Sequence, residues 1–185
     1  MSPMAREISA GGIVLREISG NWHVALIEPQ RNEQQNTSSS TKSSRSRRSG
    51  VLSLPKGLVD AGEKAEAAAT REVYEETGIR AELIQKLADI KYVYVRTWGD
   101  GERVFKIVSF YLMRYISGEI DDVTPEMRIE VKRAVWVPLA DASSQMAYTT
   151  ERKLVKQAQE LLAGRNFFAK TAPSQKRSQE RHTDT

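Results

Sequence analysis

Five glutamates fall within residues 57–79, GLVDAGEKAEAAATREVYEETGI, and three of them, Glu72, Glu75 and Glu76, crowd a single turn if the segment is helical. At about 100° per residue those three span an arc of about 100° on one helix face. Like charges three and four residues apart cost an isolated helix roughly 0.2–0.5 kcal/mol per pair, so the cluster is unfavourable until something neutralises it. A hard divalent cation such as magnesium does this, because it takes carboxylate and water oxygens and keeps several waters. A solvated helix face is the other reading. It leaves only Ala67, Thr70 and Tyr74 for the buried stripe, while Ala65, Ala68 and Ala69 lie on the glutamate side. Geometry alone leaves both readings open.

The flanking residues add functions of their own. Asp60 and Glu63 have the spacing of a helix-start capping pair. Arg71 can grip a neighbouring carboxylate with two parallel N–H donors. Gly57 removes side-chain bulk ahead of the helix, so a backbone carbonyl can approach the same ion. Gly78 suits the left-handed position just past a helix end.

Together these residues resemble the Nudix box, G-x5-E-x7-R-E-U-x-E-E-x-G-U with U an aliphatic residue. Gly57, Glu63, Arg71, Glu72, Val73, Glu75, Glu76, Gly78 and Ile79 fill all nine specified positions at the required spacing. The resemblance covers roughly residues 9–162 and implies the α/β class, a Nudix-type α/β/α sandwich built on a mixed β-sheet. It also implies a magnesium-dependent hydrolase that adds water across a pyrophosphate linkage, with manganese as a substitute ion. On this resemblance Glu72, Glu75 and Glu76 are similar to the metal-binding and base-positioning carboxylates, with Glu72 the leading choice of base. Arg71 and Glu63 look like the supporting pair, and Gly57 would offer its carbonyl to the metal. Glu130, six residues before Trp136, resembles a further acidic ligand found after the later strands of such proteins; a surface glutamate is its plainer reading.

The box says little about what the pyrophosphate carries. The run LSLPKG, ending on Lys56 and Gly57, resembles branches acting on dinucleoside polyphosphates, nucleoside triphosphates or diphosphoinositol polyphosphates. Lys56 is a candidate contact for a distal phosphate or simply a solvated lysine. Tyr92, Tyr94 and Trp98 can stack on a base or pack the sheet, and Arg103 and Lys106 can add positive charge beside them. The first expectation is a dinucleoside polyphosphate such as diadenosine tetraphosphate, then a damaged nucleoside triphosphate, then a diphosphoinositol polyphosphate. A non-catalytic module that senses a nucleotide or RNA is the competing class, and such modules usually carry a damaged box. This one is intact.

The elements that must position these groups are visible on either side. Residues 8–15 and 22–27 are two apolar, β-branched runs around Ser19, Gly20 and Asn21, a hairpin. Residues 92–95, 104–115 and 134–137 read as later strands, the first two as a second hairpin across Gly99, Asp100 and Gly101. Residues 150–162, TERKLVKQAQELL, read as an amphipathic closing helix with Leu154, Gln157, Ala158, Leu161 and Leu162 at helical spacing.

One domain, residues 1–164, is expected from the length of 185 residues. Residues 32–50, with seven serines and no apolar side chain, read as a disordered insertion, and residues 165–185 as a polar tail. The net charge of +4 is concentrated there: Lys42, Arg45, Arg47 and Arg48 against Glu33 give +3, the tail another +3, and the remainder is −2. A nucleic-acid partner is therefore not expected, and the partner is a small nucleotide or polyphosphate. There is no cysteine and no apolar stretch approaching the roughly 20 residues of a membrane helix, and residues 1–6, with no basic region followed by an apolar run, lead to no expectation of a secretory signal. A cytoplasmic protein is expected, and the sequence is silent on its oligomeric state.

Overall fold

The computed structural model describes residues 4–30, 51–96 and 101–164. The expected insertion, the polar tail and Trp98 lie outside the described residues. Among the described residues, no helix is long and apolar enough to cross a membrane.

The first hairpin forms as the apolar runs require. Strand β1 (Ala5–Ile18) turns through Ser19 and Gly20 into β2 (Asn21–Pro29), pairing antiparallel with Ile18 opposite Asn21. Ser19 and Gly20 have φ of 51° and 79°, the consecutive left-handed pair that a two-residue turn needs to match the strand twist. The second hairpin joins β4 (Ile79–Val95) to β5 (Arg103–Gly118). β4 is far longer than the apolar run at 92–95. Its register shifts at Arg80/Ala81, Leu83/Gln85 and Lys86/Ala88, and each break disrupts the alternation by which a strand is recognised in sequence.

The sheet is mixed, as expected, in the order β4-β5-β1-β2-β6, with β6 spanning Val131–Pro138. β1 runs parallel to β5 along one edge. Its other edge is divided: Leu15 to Ile18 pair with β2, while Ser9 to Gly11 pair with the short strand β3 (Lys56–Leu58). That division brings Lys56 and Gly57 onto the middle of the sheet. Gly11 makes the approach feasible, since a Cβ there would sit 2.4 Å from the Pro55 carbonyl oxygen and 2.6 Å from Lys56 Cβ.

Helices cover both faces. Ile13, Leu15, Leu26, Val108, Phe110 and Leu112 pack against α2 (Leu139–Gln145) and α3 (Thr149–Gly164) through Ala142, Leu154, Val155 and Ala158. On the opposite face Ala10, Val14, Tyr111 and Met113 meet Ala68, Ala69 and Val73 of α1 (Ala65–Thr77). The result is the expected α/β/α sandwich, with full burial of each large apolar side chain contributing about 1.5–3 kcal/mol. α2 was not visible in the sequence, where LADASSQ has too few apolar residues for a helical period.

Candidate active site

α1 is sharply delimited. Its C-terminal stop is Gly78, at φ 79° with its N–H donating to the Tyr74 carbonyl. A Cβ at Gly78 would fall 2.5 Å from the Asp122 carbonyl oxygen, so both conformation and space demand glycine. Its start corrects the capping expectation. The helix begins at Ala65, and Asp60 and Glu63 form a turn ahead of it in which the Glu63 carboxylate accepts the Asp60 N–H at 3.0 Å. That carboxylate is committed to the Asp60 amide and to Arg71 rather than to the helix start.

The glutamate face is not solvated. Ala68, Ala69, Glu72, Val73, Glu76 and Thr77 are the buried residues of α1, whereas Tyr74 is 45% exposed. Glu72 and Glu76 are 8% and 6% exposed. Glu76 Oε2 accepts the Lys56 N–H at 2.7 Å, tying the helix to β3. Burial pushes the Glu76 carboxyl up to about 8, with Lys56 opposing and Glu72 and Glu130 adding to the rise. Burial likewise raises Glu72, Arg71 opposing it and Glu75 and Glu130 reinforcing it. Glu130 is itself exposed, at the end of a single 3-10 turn, yet its charge reaches both buried carboxyls.

Arg71 organises the remainder. Nε and Nη2 donate to the two oxygens of Glu63 at 3.0 and 2.9 Å, the bidentate grip anticipated for it. Nη1 reaches Glu72 at 2.8 Å and Glu75 at 3.0 Å, and Nη2 also holds the Leu58 carbonyl at 2.9 Å. The guanidinium holds Glu63 far below the usual carboxylate range, at about 2, with the Asp60 amide contributing.

The donor set fits a divalent cation. Two buried carboxyls, whose charged forms burial disfavours, lie one turn apart on α1 within reach of the Glu130 charge, Glu75 shares Arg71 with Glu72, and Glu72 packs against Gly57, where a Cβ would come within 2.1 Å of its carboxyl carbon. An anionic cluster this poorly solvated is what a hard cation compensates. Among the described residues no three acidic or histidine side chains already close on one point. Arg71 draws Glu72 and Glu75 to one side, and the Lys56 amide holds Glu76.

The expected substrate contacts divide. The Lys56 ammonium pairs with Glu151 Oε1 at 3.1 Å and lies 5.7 Å from the centre of the Tyr148 ring. Tyr92 is 42% exposed, its ring 6.3 Å from that of Tyr94, and its hydroxyl is raised by burial and by the fields of Glu7, Tyr148, Tyr94 and Glu151. Tyr94 donates to Glu7 at 2.9 Å, and Lys106 pairs with the same carboxylate. Lys56, Tyr92, Tyr94 and Lys106 therefore share one face of the sheet with the N-terminal end of α3. Arg103 does not join them. It lies three residues from Lys106 on one strand, and an odd spacing sends the two side chains to opposite faces.

Sequence reasoning missed Glu7, Tyr148 and Glu151. Only Glu151 left a signal. It occupies the first position of the stripe 151, 154, 155, 158 that buries α3, a carboxylate where an apolar residue belongs.

The comparisons with known proteins bear on family and fold. A family model described as NUDIX domain matches residues 23–158, most of the chain. The chain belongs to the Nudix family. A Mycobacterium tuberculosis protein named as a candidate mutator protein, MutT4, is 40% identical over 159 residues, which are 84% of this chain and 56% of that protein. An 8-oxo-(d)GTP phosphatase of Mycolicibacterium smegmatis is 34% identical over 104 residues, 56% of this chain and 29% of that one. This Nudix chain thus spans about half or less of these curated relatives. In fold it is similar to the crystal structure of a C. elegans Ap4A hydrolase binary complex, with TM-score 0.60 and 22% identity, covering 86% of this chain and 99% of that one.

Proposed function

We propose that this chain hydrolyses a phosphoanhydride linkage of a nucleoside polyphosphate with the help of magnesium, manganese serving as a substitute. The observation that carries this reading is the pair of buried carboxyls Glu72 and Glu76 one turn apart on α1, with Glu72 packed against a glycine whose Cβ would fall 2.1 Å from its carboxyl carbon. Glu72, Glu75, Glu76 and Glu130 would hold the cation, and the Gly57 carbonyl would complete the set. When bound, such an ion neutralises phosphate charge and acidifies water. The chain's own residues do the rest. Arg71 orients Glu72 and Glu75, and Glu63 orients Arg71 in turn. Glu72 accepts the proton of the attacking water, a task suited to a carboxyl whose affinity for protons burial has raised. Lys56 meets the phosphate chain beyond the cation, with Tyr148 beside its ammonium and Tyr92 on the same sheet face to receive a base.

A nucleoside triphosphate with a damaged base now stands ahead of a dinucleoside polyphosphate. The relatives at 40% and 34% identity are named as a mutator protein and an 8-oxo-(d)GTP phosphatase. The cationic track is also short: Lys106 is committed to Glu7, and Arg103 faces away, so little is left to hold four phosphates in a row. The dinucleoside reading keeps one supporting observation, the exposed Tyr148 beside Lys56 and the exposed Tyr92 on the same sheet face.

A substrate panel read by product mass tests this. With saturating magnesium, 8-oxo-dGTP is expected to turn over with kcat/KM at least about tenfold above that for diadenosine tetraphosphate, since one well-placed recognition contact is worth about that much. The reverse order would put the dinucleoside substrate first. Binding without turnover of any member, inositol pyrophosphates included, would favour a non-catalytic sensor.

A further inference from the structure

Glu151 is 3% exposed and has no role in the chemistry above beyond its contact with Lys56. Placing a carboxylate in the apolar stripe of α3 carries a desolvation cost of several kcal/mol, offset only if its oxygens are fully used. Both are. Oε2 accepts the Leu54 N–H at 2.9 Å and Oε1 pairs with the Lys56 ammonium at 3.1 Å. Between these two contacts lies Pro55, so one carboxylate grips the chain at both sides of the residue that leads into β3.

The end of α3 that carries Glu151 is itself fixed. Arg152 donates twice to the Met146 carbonyl, from Nε at 2.8 Å and Nη2 at 2.6 Å, closing the turn between α2 and α3. Leu52 is laced to that turn by Leu52 N–H to the Gln145 carbonyl and Ala147 N–H to the Leu52 carbonyl. Lys56 is consequently held at both ends, its backbone N–H on Glu76 and its ammonium on Glu151. A second acceptor, the Leu54 carbonyl at 3.4 Å, takes another of its three donors. The side chain remains 25% exposed, beside Tyr148.

We infer that Glu151 is a positioning residue that holds the Lys56 ammonium at a fixed offset from the Glu72–Glu76 carboxylates, so that its free donor meets the phosphate chain of the substrate. A lysine head alone is a flexible point charge on four rotatable carbons. Anchored between a buried carboxylate and a carbonyl, it is preorganised, and the ordering cost is met on folding rather than on binding. The inference rests on the phosphoanhydride reading of the site and adds the group that sets phosphate affinity.

The test is a double-mutant cycle of Glu151→Gln, Lys56→Met and the pair together. One arm measures binding of inorganic tripolyphosphate in magnesium by calorimetry, and the other measures kcat and KM on the best substrate of the panel. Gln still accepts the Leu54 N–H but loses the charge on Lys56. Glu151→Gln is expected to weaken tripolyphosphate binding and raise KM by about tenfold each with kcat changed less than about threefold, the signature of lost ground-state binding. Lys56→Met, which leaves the Leu54 contact in place, is expected to give the same loss, and the double variant no more than Lys56→Met alone. Unchanged or tighter binding in Glu151→Gln, additive losses in the double variant, or wild-type binding in Lys56→Met would each overturn the assignment. Because the calorimetric arm needs no turnover, an inactive wild type that binds tripolyphosphate through Lys56 and Glu151 would sink the hydrolase reading alone.

Discussion

Glu76→Gln is expected to lower turnover by at least about 100-fold at saturating magnesium, the range for losing a metal ligand or an acid–base group, and Glu72→Gln by a similar factor. The fold survives both changes for a reason visible in the contacts. A glutamine oxygen at 76 still accepts the Lys56 N–H, and one at 72 still accepts from Arg71. Without divalent cation the melting temperature of Glu76→Gln is expected to equal or exceed that of the wild type, because the substitution removes a carboxyl whose charge burial disfavours. Activity would thus fall while stability holds. Near wild-type turnover in both variants, measured as kcat across a magnesium titration, would remove the carboxylate face from the chemistry.

Gly57→Ala is expected to cost as much from a position that bears no side chain. The added Cβ would fall 2.1 Å from the Glu72 carboxyl carbon and 2.1 and 2.3 Å from its two oxygens. Glu72 must then swing away, but it is 8% exposed and held by Arg71, so the displacement passes into the arrangement of the remaining carboxylates. A misplacement of about 1 Å in such a site costs about 100-fold in rate, and that is the loss anticipated in kcat. Among the described residues the left-handed glycines are Gly20, Gly62, Gly78, Gly101 and Gly118, and Gly57 is not one of them, so alanine meets no backbone penalty there. The loss of stability is accordingly expected to stay below about 2 kcal/mol in a urea titration. Full activity in Gly57→Ala would mean that Glu72 does not work from where it lies.

What could be read from the sequence and what could not follow the range of the interactions. The first hairpin, the stop at Gly78 and the burial of the glutamate face all rest on local pattern: alternation, a turn pair, an apolar stripe that shares its side with the acids. The Arg71 grip on Glu63 was likewise within reach, eight residues apart along a chain that turns once. The position of Lys56 was not, because its partner Glu151 is brought to it only by packing α3 on the sheet. β4 was mostly hidden, since its bulges break the two-residue period and its pairing with β5 compensates for what its own sequence lacks. Arg103 was grouped with Lys106 because both are basic and nearby in sequence. The strand geometry separates them.

The most direct test of the account is binding of Mn2+, followed by electron paramagnetic resonance, to the wild type and to Glu72→Gln, Glu76→Gln and Glu66→Gln. Glu66 lies on the same helix but in its first turn, where it is exposed. The wild type and Glu66→Gln are expected to bind alike, and Glu72→Gln and Glu76→Gln each to bind at least about tenfold more weakly, as the loss of a carboxylate from a divalent site requires. Equal binding by all four proteins would contradict it.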